Sequence, residues 1–184
     1  MSRKGLPSRR EALRILREIG CPPGVIRHCK DVARLALRIA EACLRAGVDV
    51  DLPLVEAGAL LHDIGRSRTH EISHALLGAE MARGMGLDER LIHLILVHPG
   101  GVTEEQAEAL GWPQDGREPR TLEEKIVCYA DKLVEKGRFL SFEEALGKMI
   151  EDLGPDHPAV RSLMRIREEL KAILGDALDA CGGA

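Results

Sequence analysis

Residues 59–65 read Ala59-Leu60-Leu61-His62-Asp63-Ile64-Gly65, an apolar run that ends in a histidine and an acid and closes on glycine. Working back from it, Leu54, Ala57, Leu60 and Leu61 recur at helical spacing, Asp51 stands where an N-cap belongs, and Pro53 falls in the first turn. The stretch therefore predicts a helix that starts after Asp51, runs through His62-Asp63 and stops at Gly65. An ionised aspartate at the end of such an apolar helix is costly to bury unless it is paired or binds a metal.

The same helical grammar extends outward in both directions. Four segments open with a capping box, Ser8/Glu11, Thr103/Gln106, Thr121/Glu124 and Ser141/Glu144, each of which starts a helix. Upstream, one helix is expected over 8–19, closed by Gly20 and the Pro22-Pro23 stop. A second, over 25–45, carries Val32, Leu35, Ile39 and Cys43 on one stripe, and His28 continues that stripe by one turn. Downstream, helices are expected over 73–85 and 88–98, a short one after Thr103, one from Thr121 ending at Gly137, one over 141–153 and one over 158–174. The last has an apolar stripe of Val160, Leu163, Ile166, Leu170 and Leu174, with a solvated charged face. No stretch shows strand alternation, and residues 180–184 read as a frayed tail. The expectation is an all-α bundle of seven to nine helices, a single domain over 1–184 with a core at about 25–140 and a helical extension over about 141–175.

Composition bounds the function. Of 184 residues, 45% are apolar and 30% charged, enough for a core and a solvated surface. Aromatics are only 2% and the net charge is −4, so neither base stacking nor a basic excess supports nucleic-acid binding. The five cysteines, Cys21, Cys29, Cys43, Cys128 and Cys181, form no CxxC pair, which fits idle thiols in a reducing cytoplasm better than a disulfide framework. The N-terminus is basic without a following apolar core, so no signal peptide is expected, and no apolar run is long enough for a membrane span.

Against that background the buried polar residues stand out. Asp131 is set in Ile126-Val127-Cys128-Tyr129-Ala130-Asp131-Lys132-Leu133-Val134, a second acid inside an apolar helix. One such carboxylate is explained by a salt bridge or a helix cap. Two of them, with His62 beside one and His28 on a core-facing stripe, are better explained by one ion that draws them together. Two imidazoles and two carboxylates without a thiolate suit Mn²⁺, Fe²⁺, Co²⁺, Ni²⁺ or Zn²⁺ in a site that keeps positions open for water. A water bound there can lose a proton near neutral pH and become a nucleophile.

His28, His62-Asp63 and Asp131, in that order on successive helices, resemble the H…HD…D signature of the HD-domain superfamily of metal-dependent phosphohydrolases, and Leu61-His62-Asp63-Ile64-Gly65 matches its HDIG form. The resemblance covers roughly residues 25–140. It implies a helical core and hydrolysis of a phosphate ester or anhydride in a small phosphorylated substrate such as a nucleotide. His74, in a similar His-x-x-x-Gly-Ala stretch with Gly78 and Ala79, and His98 resemble the binuclear branch, which implies a second divalent metal on those two residues with Asp63 bridging. The chain lacks the GYP-type extension of the cyclic-di-GMP phosphodiesterases. Taken apart from that branch, His74 reads equally as a helix-start residue and His98 as a favourable helix C-terminus.

Arg66 and Lys132, each next to an expected ligand, are candidate catalytic cations for a transferring phosphate. His70 is a candidate for substrate contact or proton transfer, and the loop over 99–120 a candidate cover. His93, on another face from His98, reads as structural, and His157 as a surface residue. Two other readings remain open: a non-catalytic nucleotide-sensing module of the same fold, and a di-iron oxygenase. Homo-oligomerisation is compatible with the sequence.

Overall fold

The structure, a computed structural model, describes residues 5–182. These form ten α-helices: α1 Arg9–Glu18, α2 Pro23–Arg45, α3 Leu52–Leu61, α4 His74–Gly84, α5 Glu89–Val97, α6 Glu104–Leu110, α7 Leu122–Lys132, α8 Phe142–Leu153, α9 Pro158–Leu174 and α10 Ala177–Gly182. Two 3-10 turns (Ile64–Ser67 and Gln114–Gly116) and a two-stranded hairpin (β1 Val134–Glu135, β2 Arg138–Phe139) complete the described chain. All four capping boxes form, closing the first turns of α1, α6, α7 and α8 as their serine and threonine caps require.

The long helix α2 is the spine. Its buried stripe alternates bulky and small residues, Val32, Leu35 and Ile39 with Ala33, Ala36 and Ala40, so that α3 and α7 pack close on either side of it. α4 and α5 pair with each other, and α5 closes the core against α3 and α7. On α9 the expected stripe is buried at Val160, Leu163, Ile166 and Leu170. No described helix is long and apolar enough to cross a membrane.

The structure departs from the sequence reading at five places. Pro23 belongs to the first turn of α2 rather than only to the stop after α1, because proline gives up no hydrogen bond there. α3 ends at Leu61, so His62 is its C-cap and Asp63 stands at the junction with the 3-10 turn that follows. α7 ends at Lys132 rather than running to Gly137. Val134 pairs with Phe139 and Glu135 with Arg138 across a turn in which Lys136 and Gly137 both have positive φ, 47° and 80°. Such a two-residue turn matches the twist of a hairpin and forbids a helix.

The tail is the fourth. Residues 177–182 form α10, held by buried Leu178 and by Arg167, whose Nη2 lies 2.5 Å from Asp179 Oδ1; Gly183 and Ala184 of the expected frayed end lie outside the described residues. Finally, the 99–120 segment folds back on α5, where Asp115 O lies 3.0 Å from His93 Nε2, and buried Trp112 braces it by donating from Nε1 to Gly116 O at 2.8 Å.

Candidate metal centre

Five elements aim six side chains at one point. His28 comes from the second turn of α2, His62 and Asp63 from the end of α3, His74 from the first residue of α4, His98 from the C-cap of α5, and Asp131 from the last turn of α7. The glycines of the quoted motifs bring them together. A Cβ on Gly65 would lie 1.9 Å from His74 O, and one on Gly78 would lie 3.0 Å from Ile64 Cγ2 and 3.2 Å from Gly65 N. The 3-10 turn after Asp63 thus sits directly on the first turns of α4, which sets His74 beside Asp63.

Asp63 stands between two groups of imidazoles. Its Oδ2 lies 3.6 Å from His62 Nε2 and 4.0 Å from His28 Nε2, and its Oδ1 lies 3.1 Å from His74 Nε2 and 3.5 Å from His98 Nε2. Asp131 Oδ1 completes the first group at 2.8 Å from His28 Nε2 and 3.3 Å from His62 Nε2. His28, His62 and Asp131 form one set that could hold an ion, and His62, Asp63 and His98 another; in each, the ligand atoms lie within 4.8 Å of one another.

Hydrogen bonding behind the rings decides what those nitrogens are. His62, His74 and His98 each place Nδ1 on the carbonyl three residues back: Ala59 O at 2.8 Å, Glu71 O at 2.7 Å and Ile95 O at 2.6 Å. A carbonyl only accepts, so Nδ1 carries the proton and Nε2 of each neutral ring presents a lone pair. His74 Nε2 and His98 Nε2 then face each other at 3.0 Å as two acceptors with no donor between them. Among the described residues, His62 Nε2 and Asp63 Oδ1 are buried without a hydrogen-bond partner. Native proteins seldom leave such atoms orphaned, and outward-facing carbonyls behind inward-facing imidazoles are the usual setting of metal-bound histidines. The donor set fits divalent metal.

The local field points the same way. Burial alone would raise the Asp63 carboxyl, but His62, His74 and His98 hold it well below the usual carboxylate range. Asp131 likewise resists burial and is held low, chiefly by Lys132 and then by His62 and His28. Burial lowers His62, yet the neighbouring Asp63 and Asp131 carboxylates outweigh it and raise the ring. His98, with less compensation, is pushed down by burial to about 4 and stays neutral.

Of the other sequence candidates, Arg66 and Lys132 are both at the centre but already engaged. Arg66 Nε lies 2.8 Å from Asp63 Oδ2, and its Nη1 donates to His70 O at 3.2 Å. Lys132 Nζ lies 2.6 Å from Asp131 Oδ2 and 3.3 Å from His98 O. Both cations therefore brace carboxylates. A cavity of about 1090 Å³ opens over the centre, with Arg27, His28, Asp63, Arg66, His70 and Lys136 on its wall. His70 stands at the cavity wall and outside the imidazole cluster. The 99–120 segment does not line this cavity; the hairpin does, through residues 135–137. Arg27 and Lys136 were not singled out in the sequence, although the Lys136-Gly137 pair between Val134 and Phe139 is a turn signal. His93 binds Glu124 Oε1 at 2.6 Å and Asp115 O at 3.0 Å, and His157 caps α9.

Comparisons with known proteins agree with this geometry. The HD domain family matches residues 25–135. The uncharacterized protein MJ0778 of Methanocaldococcus jannaschii is 40% identical over 165 residues, spanning 89% of this chain and 97% of that one. The tRNA (cytidine(56)-2'-O)-methyltransferase of Picrophilus torridus is 37% identical over 177 residues, 96% of this chain but only 50% of that enzyme, so the chain spans about half its length. Among solved structures, the HD domain of the Listeria monocytogenes phosphodiesterase PgpH, in complex with cyclic-di-AMP, superposes with a TM-score of 0.54 at 20% identity, covering 90% of this chain and 96% of that one. With the H…HD…D residues gathered at one point and the family match spanning them, the chain belongs to the HD-domain family.

Proposed function

We propose that this protein is a metal-dependent phosphohydrolase that holds two divalent transition metals and acts on a phosphodiester or phosphoanhydride of the nucleotide type. The observation that carries the reading is the pair of Nε2 lone pairs on His74 and His98, 3.0 Å apart, facing an Asp63 oxygen that has no hydrogen-bond partner. A bound metal ion would satisfy all three atoms at once. In this reading His28, His62 and Asp131 would hold one metal and His74 and His98 the other, with Asp63 standing between the two groups. When bound, such a pair supplies a nucleophile from water and offsets charge on the phosphoryl group.

The chain's own residues do the rest. Arg66 and Lys132 hold Asp63 and Asp131 in place, and the carbonyls of Ala59, Glu71 and Ile95 fix the rings, so little reorganisation is needed when the site acts. His70, at the cavity wall, is the group positioned to give a proton to a leaving oxygen. The fold works as one domain in which α9, with α8 and α10 packed on it, supports α7. A second reading, a nucleotide-sensing module without turnover, is favoured by the match to half the length of a tRNA methyltransferase.

Elemental analysis of protein stripped by chelation and reloaded with Mn²⁺, Fe²⁺, Co²⁺, Ni²⁺ or Zn²⁺, combined with product release from a nucleotide and phosphodiester panel, tests the proposal. Metal uptake and turnover that both collapse in Asp63→Ala are expected. Protein that takes up none of these metals overturns the proposal; metal uptake without turnover on any substrate leaves the sensing module.

A further inference from the structure

Two cations on the cavity wall over the centre stand outside the hydrogen bonds and ion pairs around them. Arg27, on the exposed side of α2 one residue before His28, makes no side-chain hydrogen bond or ion pair among the described residues, and neither does Lys136 at the hairpin tip. Their neighbours are committed: Arg66 to Asp63, Lys132 to Asp131, and Arg34 to Asp31 and the Phe139 ring. The one acid beside Lys136 on the wall, Glu135, is paired with Lys148. In a chain of net charge −4, this leaves a cationic wall next to the centre.

Lys136 is also an unexpected residue for its place. The turn requires φ of 47°, which Asn, Asp and Gly tolerate and lysine adopts at a cost. Strain of this kind is kept where the side chain is needed. Opposite it, the first turn of α2 has no capping side chain and no acid, and Gly24 on the cavity wall leaves open space where a Cβ would stand. The helix dipole there adds to the attraction for an anion. A volume of about 1090 Å³ exceeds what one phosphate or a mononucleotide fills.

We propose that Arg27 and Lys136 grip a second phosphate, beyond the one that reacts, and so select substrates with two or more linked phosphates, such as a 5'-phosphorylated dinucleotide, over mononucleotides. Turnover of such a substrate rests on the phosphohydrolase reading; its binding does not. Arg27 reaches the ligand from the helix that carries His28, and Lys136 from the hairpin that follows Asp131, so the grip is keyed to the metal centre from both sides.

The test is binding of fluorescein-labelled 5'-phosphorylated diadenylate and of AMP to metal-stripped protein, compared among wild type, Arg27→Ala/Lys136→Ala, Lys136→Arg and Lys30→Ala. Lys30 is exposed on α2 outside this cavity and serves as the charge control. The double variant should weaken the dinucleotide about tenfold, leave AMP within about twofold and keep its melting temperature; Lys136→Arg, which keeps the charge, should bind the dinucleotide within about twofold of wild type. Equal weakening of both ligands, no weakening, or an equal loss in Lys30→Ala overturns the proposal. If reloaded wild type hydrolyses neither ligand but the binding contrast holds, the hydrolase reading fails and the grip stands. If hydrolysis proceeds and the double variant treats both ligands as wild type does, the grip fails alone.

Discussion

His93 and His98 lie five residues apart on and just after α5, and their surroundings differ in one respect. At His93 both ring nitrogens are satisfied, by Glu124 Oε1 and by Asp115 O, and the ring ties α5 to the start of α7 and to the folded-back segment. At His98 only Nδ1 is satisfied, and Nε2 faces the bare Nε2 of His74. The same contrast separates the metal centre from the buried Arg167, which is matched by Tyr129 Oη at 2.7 Å, Asp179 and the Phe142 ring. A buried polar residue with every atom matched stabilises the fold. One that is left with an unmatched lone pair among carboxylates marks a place where something else binds.

Four experiments can break or sharpen that contrast. The largest effect is expected for Asp63→Ala, which removes the oxygens between both imidazole groups; metal content should fall to background and turnover by at least about 10²-fold. If the variant keeps its metal and its rate, the unmatched atoms are a packing accident. Gly65→Ala comes next. Its Cβ would meet the His74 carbonyl at 1.9 Å, so the backbone must shift, and a loss of about 3 kcal/mol with weaker metal binding is expected in urea unfolding and elemental analysis.

Acid should then separate the two histidines. His98, pushed down to about 4, is neutral in the folded metal-free protein and titrates near 6.5 when unfolded. Its contribution is therefore complete above about pH 6.5 and is lost as pH falls through about 4. Unfolding at pH 7.5 and pH 5 should show about 2 kcal/mol more acid loss in wild type than in His98→Gln. His62 is raised by its carboxylates and pushes His98 down through its charge, so the difference reads His98 together with the neighbours it is coupled to. The smallest effect is for His93→Gln, about 1 kcal/mol of stability with metal content and turnover unchanged. A loss of metal there would erase the distinction between the matched and unmatched rings.

Much of the architecture was legible because its signals are local. Capping boxes, terminal glycines and 3.6-residue stripes act within one or two turns, and they located α1, α6, α8 and α9 to within a residue or two. His28, His62, Asp63 and Asp131 were legible because burying His and Asp in apolar runs is costly enough to need a reason; His74 and His98 were legible only through the resemblance to the binuclear branch. The hairpin was missed because its strands are only two residues each, too short for alternation to show, although Lys136-Gly137 is a turn signal. The 99–120 segment was expected over the cavity because it lies between site residues in sequence, whereas Asp115 and Gly116 pack it against His93 and Leu96 of α5.

By itself, the sequence determined that the chain is helical, which residues are too polar for their apolar surroundings, and which glycines stand beside them. Only the tertiary structure decided that Asp63 divides its oxygens between two imidazole groups, that Arg66 and Lys132 brace carboxylates, and that Arg27 and Lys136 share a cavity wall. The reason is range. Propensity and capping are settled between neighbours along the chain, while the direction of a lone pair and the partner of a charge depend on residues brought close only when distant helices pack.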